Sequence, residues 1–239
     1  PCNDEVASLL SSFNSMIAIQ TKMRDDLIEA EKLKQQLSLN LLQQQVNPHF
    51  LYNTLDNICA LAELDEKETL IQLVMNLSSF YRSSLSNGKM HISIGQELEI
   101  SRAYLEILQI RYFHKFDFTI TCPEALKNYS CIKLLLQPIL ENSIYHGIKG
   151  LDRHGILHIE AEDTGDCIRF TISDNGRGFS KEDYEKIWQQ DADHFGIKSI
   201  QQRILLYYGP GYGLSMESPQ TGGCITVITL PKQEGLPCH

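Results

Sequence analysis

A histidine stands directly behind a proline in Gln45-Val46-Asn47-Pro48-His49-Phe50-Leu51-Tyr52-Asn53, and the residues on either side read as one long helix. Proline inside a helix removes a backbone donor and crowds the preceding turn at a cost of about 3 kcal/mol, so its position there implies a use. A free imidazole titrates near pH 6.5, and its neutral form is a competent nucleophile. Exposed and oriented, His49 needs little else to accept a transferred group. Pro48 leaves a carbonyl one turn earlier without its partner and bends the helix, so movement of the upstream helix would change what His49 meets. Asn53 lies one turn beyond His49 on the same helical face.

Three motifs further along suit a nucleotide. In Leu136-Gln137-Pro138-Ile139-Leu140-Glu141-Asn142-Ser143-Ile144-Tyr145-His146-Gly147, a helix carries Glu141, Asn142, Tyr145 and His146 on one broad face. An asparagine carbonyl is a suitable oxygen ligand for Mg²⁺, which keeps most of its waters and bridges phosphates. In Asp174-Asn175-Gly176-Arg177-Gly178, a carboxylate at a strand end can accept from an adenine amino group, and the two glycines permit close backbone approach to a flat ligand. His194-Phe195-Gly196-Ile197-Lys198 opens a helix whose free N–H groups and lysine suit phosphate oxygens, and Gly222-Gly223-Cys224 precedes the last strand. Each motif alone also fits an ordinary turn or a solvated face. Their order and spacing together set them apart.

The elements that must position these residues follow from periodicity. A heptad pattern runs through Leu9, Met16, Met23, Ala30, Leu37 and Gln44, and through Phe13, Gln20, Leu27, Lys34 and Leu41; eight of the eleven positions are apolar. That pattern predicts a parallel coiled coil and hence a homodimer. A second amphipathic helix is expected from Glu66 to Ser86, making a hairpin that pairs into a four-helix bundle, with Asn87-Gly88-Lys89 as its stop. The remainder predicts helices at Gln96–Arg111, Ile132–Tyr145 and Phe195–Tyr208. Strands are expected at Phe116–Thr121, Ile156–Glu162, Cys167–Ser173, Gly213–Glu217 and Cys224–Leu230, with a glycine-bearing loop before the last helix. The late strands are too closely connected for helical crossovers, so the expected fold is an α/β sandwich with a mixed or largely antiparallel sheet.

Composition narrows the function classes. A net charge of -9 disfavours nucleic acid or an anionic membrane surface as main partner, so any phosphate binding is local. Seven scattered cysteines without a C-x-x-C pair fit reduced thiols better than a disulfide framework or a zinc site. His91, His114, His154 and His158 show no metal-ligand spacing, whereas Arg82 and Arg111, each ending a helical pattern, are further candidates for phosphate contact. No run of apolar residues is long enough to span a bilayer, and the start at Pro1 suggests a piece of a larger protein whose missing part could include membrane segments.

From Leu33 to Pro231 the sequence resembles sensor histidine kinases of the LytS/YesM type, with a GHKL (Bergerat-fold) ATP-binding domain; the string from Gln45 to Asn53 carries that likeness most specifically. The resemblance implies ATP and Mg²⁺ as cofactors, His49 as phosphoryl acceptor, and a response-regulator aspartate as the next recipient. It implies Asn142 as metal ligand and Asp174 as adenine reader. His146, Lys149, Gly176, Gly178, Gly196, Lys198 and Gly223 complete the ATP site. Asn53, by the same token, would support dephosphorylation of the regulator. Asp4-Glu5-Val6 and Ser12-Phe13-Asn14-Ser15-Met16-Ile17 resemble a HAMP relay helix, which implies the cytoplasmic portion of a membrane sensor. The expected domains are a signalling helix over 1–29, a dimerisation and phosphotransfer hairpin over 30–88, and the ATP-binding domain over 89–239.

Three positions depart from the family pattern. Phe50 follows the histidine where the commonest histidine kinases place an acidic base, though phenylalanine is usual in this subgroup; Cys224 stands where threonine is common, and Ser199 replaces an asparagine. A thiol is the weaker hydrogen-bonding group, so lower nucleotide affinity is expected from Cys224. Two other readings use the same residues. One is a dimeric nucleotide-binding scaffold that signals without catalysis. The other is a GHKL ATPase, which would carry a glutamate where this chain has Pro138.

Overall fold

The computed structural model describes residues 16–17, 19–24, 28, 48–84, 90–188, 195–220 and 222–233. Of the heptad positions, Met16, Gln20 and Met23 are helical and exposed. The remaining heptad positions, the Asn87-Gly88-Lys89 stop and His194 lie outside the described residues. The chain divides into two compact units, Pro1–Leu51 and Tyr52–His239. The second contains the sheet and all three nucleotide motifs.

Helix α1 spans Pro48–Glu63. The residues before Pro48, and with them the expected kink, lie outside the described set. The end of α1 is a left-handed cap, with Asp65 at φ 55°. There the Glu66 N–H donates to the Leu61 carbonyl at 3.0 Å and the Asp65 N–H to that of Ala62 at 3.3 Å. Helix α2 (Lys67–Ser84) follows at once and buries Leu73 and Phe80. It packs along α3 (Ile94–Arg111), where the Phe80 and Tyr104 rings sit 5.8 Å apart.

Ser93 and Gln96 start α3 as a reciprocal cap: the Gln96 N–H donates to Ser93 Oγ at 3.2 Å, and the Ser93 N–H donates to Gln96 Oε1 at 3.1 Å. Two short strands that period-two alternation is too brief to reveal, β1 (His91–Ser93) and β3 (Ser130–Ile132), pair antiparallel. The main sheet has the order β2-β4-β5-β7-β6, from β2 (Phe116–Thr121), β4 (Gly155–Asp163), β5 (Cys167–Asp174), β6 (Gly213–Glu217) and β7 (Cys224–Pro231). Strand β2 runs parallel to β4, and every other pairing is antiparallel. The expected mixed sheet is therefore the observed one.

One face of this sheet is apolar. Leu157, Ile159 and Ala161 on β4 and Ile168, Phe170 and Ile172 on β5 are buried in strict alternation with more exposed neighbours. Leu105, Ile107 and Leu108 of α3, Leu140 and Ile204 are buried as well, giving a two-layer α/β sandwich.

The expected helix from Ile132 to Tyr145 needs correction. Ile132 ends β3, residues 133–136 form a turn, and α4 covers only Gln137–Asn142 before widening into a π-type turn at Ser143–Ile148. Leu134 explains the delay: its φ is 55°, a left-handed conformation that a leucine adopts at a cost of roughly 1–2 kcal/mol. The expected loop before the last helix also contains a helix, α5 (Lys181–Trp188), ahead of α6 (Phe195–Tyr208).

Candidate functional site

The alternation along β5 decides where the first polar group of the site goes. Ile168, Phe170 and Ile172 point inward, so Asp174 at the strand end points inward too and is only 9% exposed. Its Oδ1 accepts the Gly176 N–H at 2.8 Å and the Cys224 N–H at 3.3 Å. Its Oδ2 is buried without a hydrogen-bond partner. Burial pushes the carboxyl above its ordinary value, while the Ser143 hydroxyl and the Gly176 and Cys224 N–H groups pull the other way. A buried acceptor in that state calls for a donor from a ligand.

Asp174 lines a cleft that opens to solvent. Asn142, His146 and Gly147 line it from the α4 side, Gly178 and Phe179 from the loop after β5, and Cys224 from β7. The π-type turn matters here. It brings Gly147 beside the strand end, where the Arg177 N–H donates to the Gly147 carbonyl at 3.2 Å.

Gly178 and Gly223, two of the glycines expected at the site, are required by crowding and by conformation. Gly223 has φ 88°, its N–H donates to the Gly176 carbonyl at 3.0 Å, and a Cβ there would collide with the Asp174 carbonyl oxygen. Gly178 has φ 69° and would strike Ser218 Oγ, which itself accepts the Phe179 N–H at 3.1 Å and donates to the Gly223 carbonyl at 2.9 Å. The two glycine segments thus interlock around Asp174.

Among the expected site residues, Asn142, His146, Asp174 and Gly178 border the cleft directly, and Gly176 and Gly223 build its wall. Gly196 and Lys198 lie on the first turn of α6, away from the lining, and a Cβ on Gly196 would rest 3.4 Å from Pro138 Cβ. Lys149 is exposed and sits over the Tyr112 and Tyr145 rings. Arg111 donates to the Tyr145 hydroxyl at 2.9 Å and stacks over the same two rings, whereas Arg82 is exposed at the end of α2. On α1, His49 is exposed and Asn53 is half-buried.

Cys224 is buried, its Sγ 3.7 Å from Thr226 Oγ1, and burial pushes its thiol up to about 11. Sequence reasoning assigned no role to Ser143, Gly147, Arg177, Phe179 or Asp183, all of which border the cleft. A signal for Asp183 existed. Ser180 and Asp183 cap α5 reciprocally, with the Asp183 N–H donating to Ser180 Oγ at 3.1 Å and the Ser180 N–H to Asp183 Oδ2 at 3.2 Å.

The donor set fits Mg-ATP. The unpartnered Asp174 Oδ2 suits the adenine amino group, the glycine walls leave room for a flat ring, and the Asn142 amide offers a neutral oxygen to a hard cation.

Two family profiles match the sequence: "Histidine kinase" over residues 37–116, and "Histidine kinase-, DNA gyrase B-, and HSP90-like ATPase" over residues 129–234. Sensor histidine kinase YesM of Bacillus subtilis is 31% identical over 228 residues, covering 95% of this chain and 39% of that protein. Sensor protein LytS of Staphylococcus haemolyticus is 27% identical over 225 residues, 91% of this chain and 37% of that protein. Sensor histidine kinase BtsS of Escherichia coli K12 is 33% identical over 181 residues, 76% of this chain and 31% of that protein. The chain thus spans less than two fifths of the length of these relatives. The solved catalytic domain of histidine kinase ThkA superposes with a TM-score of 0.48 at 16% identity, over 61% of this chain and 97% of that one.

Proposed function

Since the chain belongs to the LytS/YesM family of sensor histidine kinases, we propose that it binds Mg-ATP, phosphorylates itself on His49 and passes the phosphoryl group to an aspartate of a response regulator. The observation that carries the nucleotide half of this reading is Asp174 Oδ2, a buried acceptor without a partner on a residue that lines the cleft.

Bound Mg²⁺ supplies charge neutralisation for the phosphates. Asn142 would ligate it through its amide oxygen. Asp174 fixes the adenine end, while Gly176, Gly178 and Gly223 admit the ring. His146 lines the cleft, and Lys149, Lys198 and Gly196 contribute to holding the phosphates and shaping the lid. An imidazole nitrogen of His49 attacks the γ-phosphorus; the bond to the β-phosphate oxygen breaks, ADP leaves with that electron pair, and the ring gives up its N–H proton. Phe50, next to it, is no base, so that proton passes to solvent. Asn53 would orient water for hydrolysis of the regulator's phosphoaspartate.

The chain acts as a homodimer in this reading, organised as residues 1–29, 30–88 and 89–239 and forming the cytoplasmic part of a membrane sensor. Support for a dimer comes from apolar side chains left exposed on α1 and α2, among them Tyr52, Leu55, Ile71, Val74 and Met75. Among the described residues no helix is long and apolar enough to cross a membrane.

The test follows label from [γ-³²P]ATP with Mg²⁺ into the chain and into His49→Ala. Acid-labile, base-stable label on the parent and none on the variant is expected. Label retained by His49→Ala removes His49 as acceptor, and nucleotide binding without label leaves a non-catalytic scaffold.

A further inference from the structure

Glu97 is a carboxylate with 0% exposure that takes no part in the cleft. From the first turn of α3 it reaches the turn before α4, where its Oε2 accepts the Leu134 N–H at 2.8 Å and its Oε1 accepts the Leu136 N–H at 2.9 Å. Arg203, from the middle of α6, reaches the same turn from the other side. Its guanidinium donates to the Leu134 carbonyl at 3.3 Å and to the Lys133 carbonyl. Tyr208, at the end of α6, accepts the Ile132 N–H on its hydroxyl at 2.9 Å. Side chains from two helices thus hold consecutive backbone groups of one short turn by both donors and acceptors.

The turn they hold is the strained one, with Leu134 in the left-handed region, a conformation that persists only where its surroundings over-determine it. Leu136 then caps α4, and its carbonyl accepts the Ile139 and Leu140 N–H groups at 3.0 Å each. Asn142 follows six residues later, about 9 Å along the helix axis. Any slip of residues 134–136 therefore displaces Asn142 with it. Helix α6 also touches α4 at Gly196 and Pro138, so its contacts with the segment spread from its first turn to its last residue. That helix follows directly on residues 189–194.

We propose that Glu97 and Arg203 are positioning residues: a buried clamp on the Lys133–Leu136 backbone that sets where Asn142 stands and couples it to α6. The inference rests on the Mg-ATP reading above and goes beyond it in separating the two ends of the nucleotide site. The adenine end hangs on β5 and β7 through Asp174 and Gly223, and the far end of the π-type turn is held to it by its own bond from the Arg177 N–H to the Gly147 carbonyl at 3.2 Å, so it depends less on the clamp than Asn142 does.

Arg203→Lys keeps a cation near Glu97 with fewer donors, Arg203→Met removes the charge, and Glu97→Gln turns one acceptor into a donor facing an N–H. For each full-length chain, affinities for adenosine, for ATP with EDTA and for ATP with Mg²⁺ are measured by titration calorimetry, alongside thermal melts. The expected result is an Mg²⁺-dependent gain in ATP affinity reduced at least fivefold in Arg203→Met and Glu97→Gln. Adenosine affinity should change less than twofold, and Arg203→Lys should lie between. If Glu97→Gln does not fold, the two Arg203 variants carry the test. Parallel loss of adenosine and Mg-ATP affinity would reduce the cluster to general packing and overturn the clamp, as would variants equal to the parent. A parent chain that binds neither adenosine nor ATP overturns the nucleotide reading itself and the clamp with it.

Discussion

Gly147 and Gly176 meet backbone to backbone: a Cβ on Gly176 would lie 2.7 Å from Gly147 Cα and 2.6 Å from Asp174 Oδ1. No side chain can yield to relieve the first contact. Gly176→Ala must therefore part the π-type turn from the strand end, and overpacking of that kind costs roughly 1–3 kcal/mol. A Cβ on Gly147 meets only Asp174 Oδ1, at 3.2 Å, which a small carboxylate shift relieves. Gly176→Ala is expected to lower the melting temperature and abolish nucleotide binding, while Gly147→Ala keeps its melting temperature and loses affinity. Melts and adenosine titrations on both variants check this. Equal melting temperatures would show that the glycine contact has slack.

Asp174 gives the site a pH dependence whose direction follows from its geometry. Oδ1 already accepts two N–H groups, so a proton taken up by the carboxyl goes to Oδ2 and turns the adenine acceptor into a donor. Burial raises the folded value above that of an ordinary aspartate. The charged acceptor is present above that raised value and is lost as pH falls through it, so adenosine binding should weaken at a pH where ordinary aspartates are still ionised. Asp174→Asn keeps the Oδ1 acceptor but presents an NH₂ to the adenine amino group. Leaving the buried partner unmatched costs about 2–3 kcal/mol, or roughly 30- to 150-fold in affinity. Adenosine titrations from pH 7 downward decide it; affinity flat to pH 4 would remove Asp174 as the reader.

The strands of the main sheet were legible because one face is buried and the other is wet, which prints period-two alternation on Ile168, Phe170 and Ile172 and carries Asp174 inward with them. The turn at 133–136 was not. Its conformation is imposed by Glu97 and Arg203, which stand 37 and 70 residues away in sequence, and no local propensity encodes a left-handed leucine. The strand pair of β1 and β3 escaped for a related reason, since three residues are too few to establish a period. Lys149 and Gly147 show a subtler limit. A regular helix would have continued the spacing of Asn142 and His146, and the π-type turn resets which side chains face the cleft.

Cys224 occupies the cleft wall as a thiol held neutral by burial. A hydroxyl of similar size is a far better hydrogen-bonding group, and one additional neutral hydrogen bond contributes about 0.5–1.5 kcal/mol. Cys224→Thr should therefore bind adenine nucleotides about 2- to 10-fold more tightly. Its Oγ1 also has a ready neighbour in the buried Thr226 hydroxyl, so the fold should keep its melting temperature. The same burial predicts that neutral-pH alkylation reaches the exposed Cys59 well before Cys224. Weaker binding by Cys224→Thr at unchanged stability would mean that the thiol's shape, rather than its polarity, suits the ligand.

Lys149 and Arg111 share one aromatic pair: Lys149 Nζ lies 5.9 Å and 5.6 Å from the Tyr112 and Tyr145 centroids, and the Arg111 guanidinium carbon 5.4 Å and 5.8 Å. Two cations over the same rings repel each other, which leaves the exposed lysine readily drawn toward an anion. Neither cation lines the cleft, so neither has a contact to make with adenine. Lys149→Met is therefore expected to leave adenosine affinity unchanged and to weaken ATP binding roughly fivefold at low salt, the equivalent of about 1 kcal/mol for one exposed charge pair. The difference should shrink as ionic strength rises and the Debye length falls to about 8 Å at 0.15 M. Calorimetric titrations of adenosine and ATP at two salt concentrations check it. An equal change for both ligands, or none for either, removes Lys149 from the phosphate site and leaves it as a cation resting on Tyr112 and Tyr145.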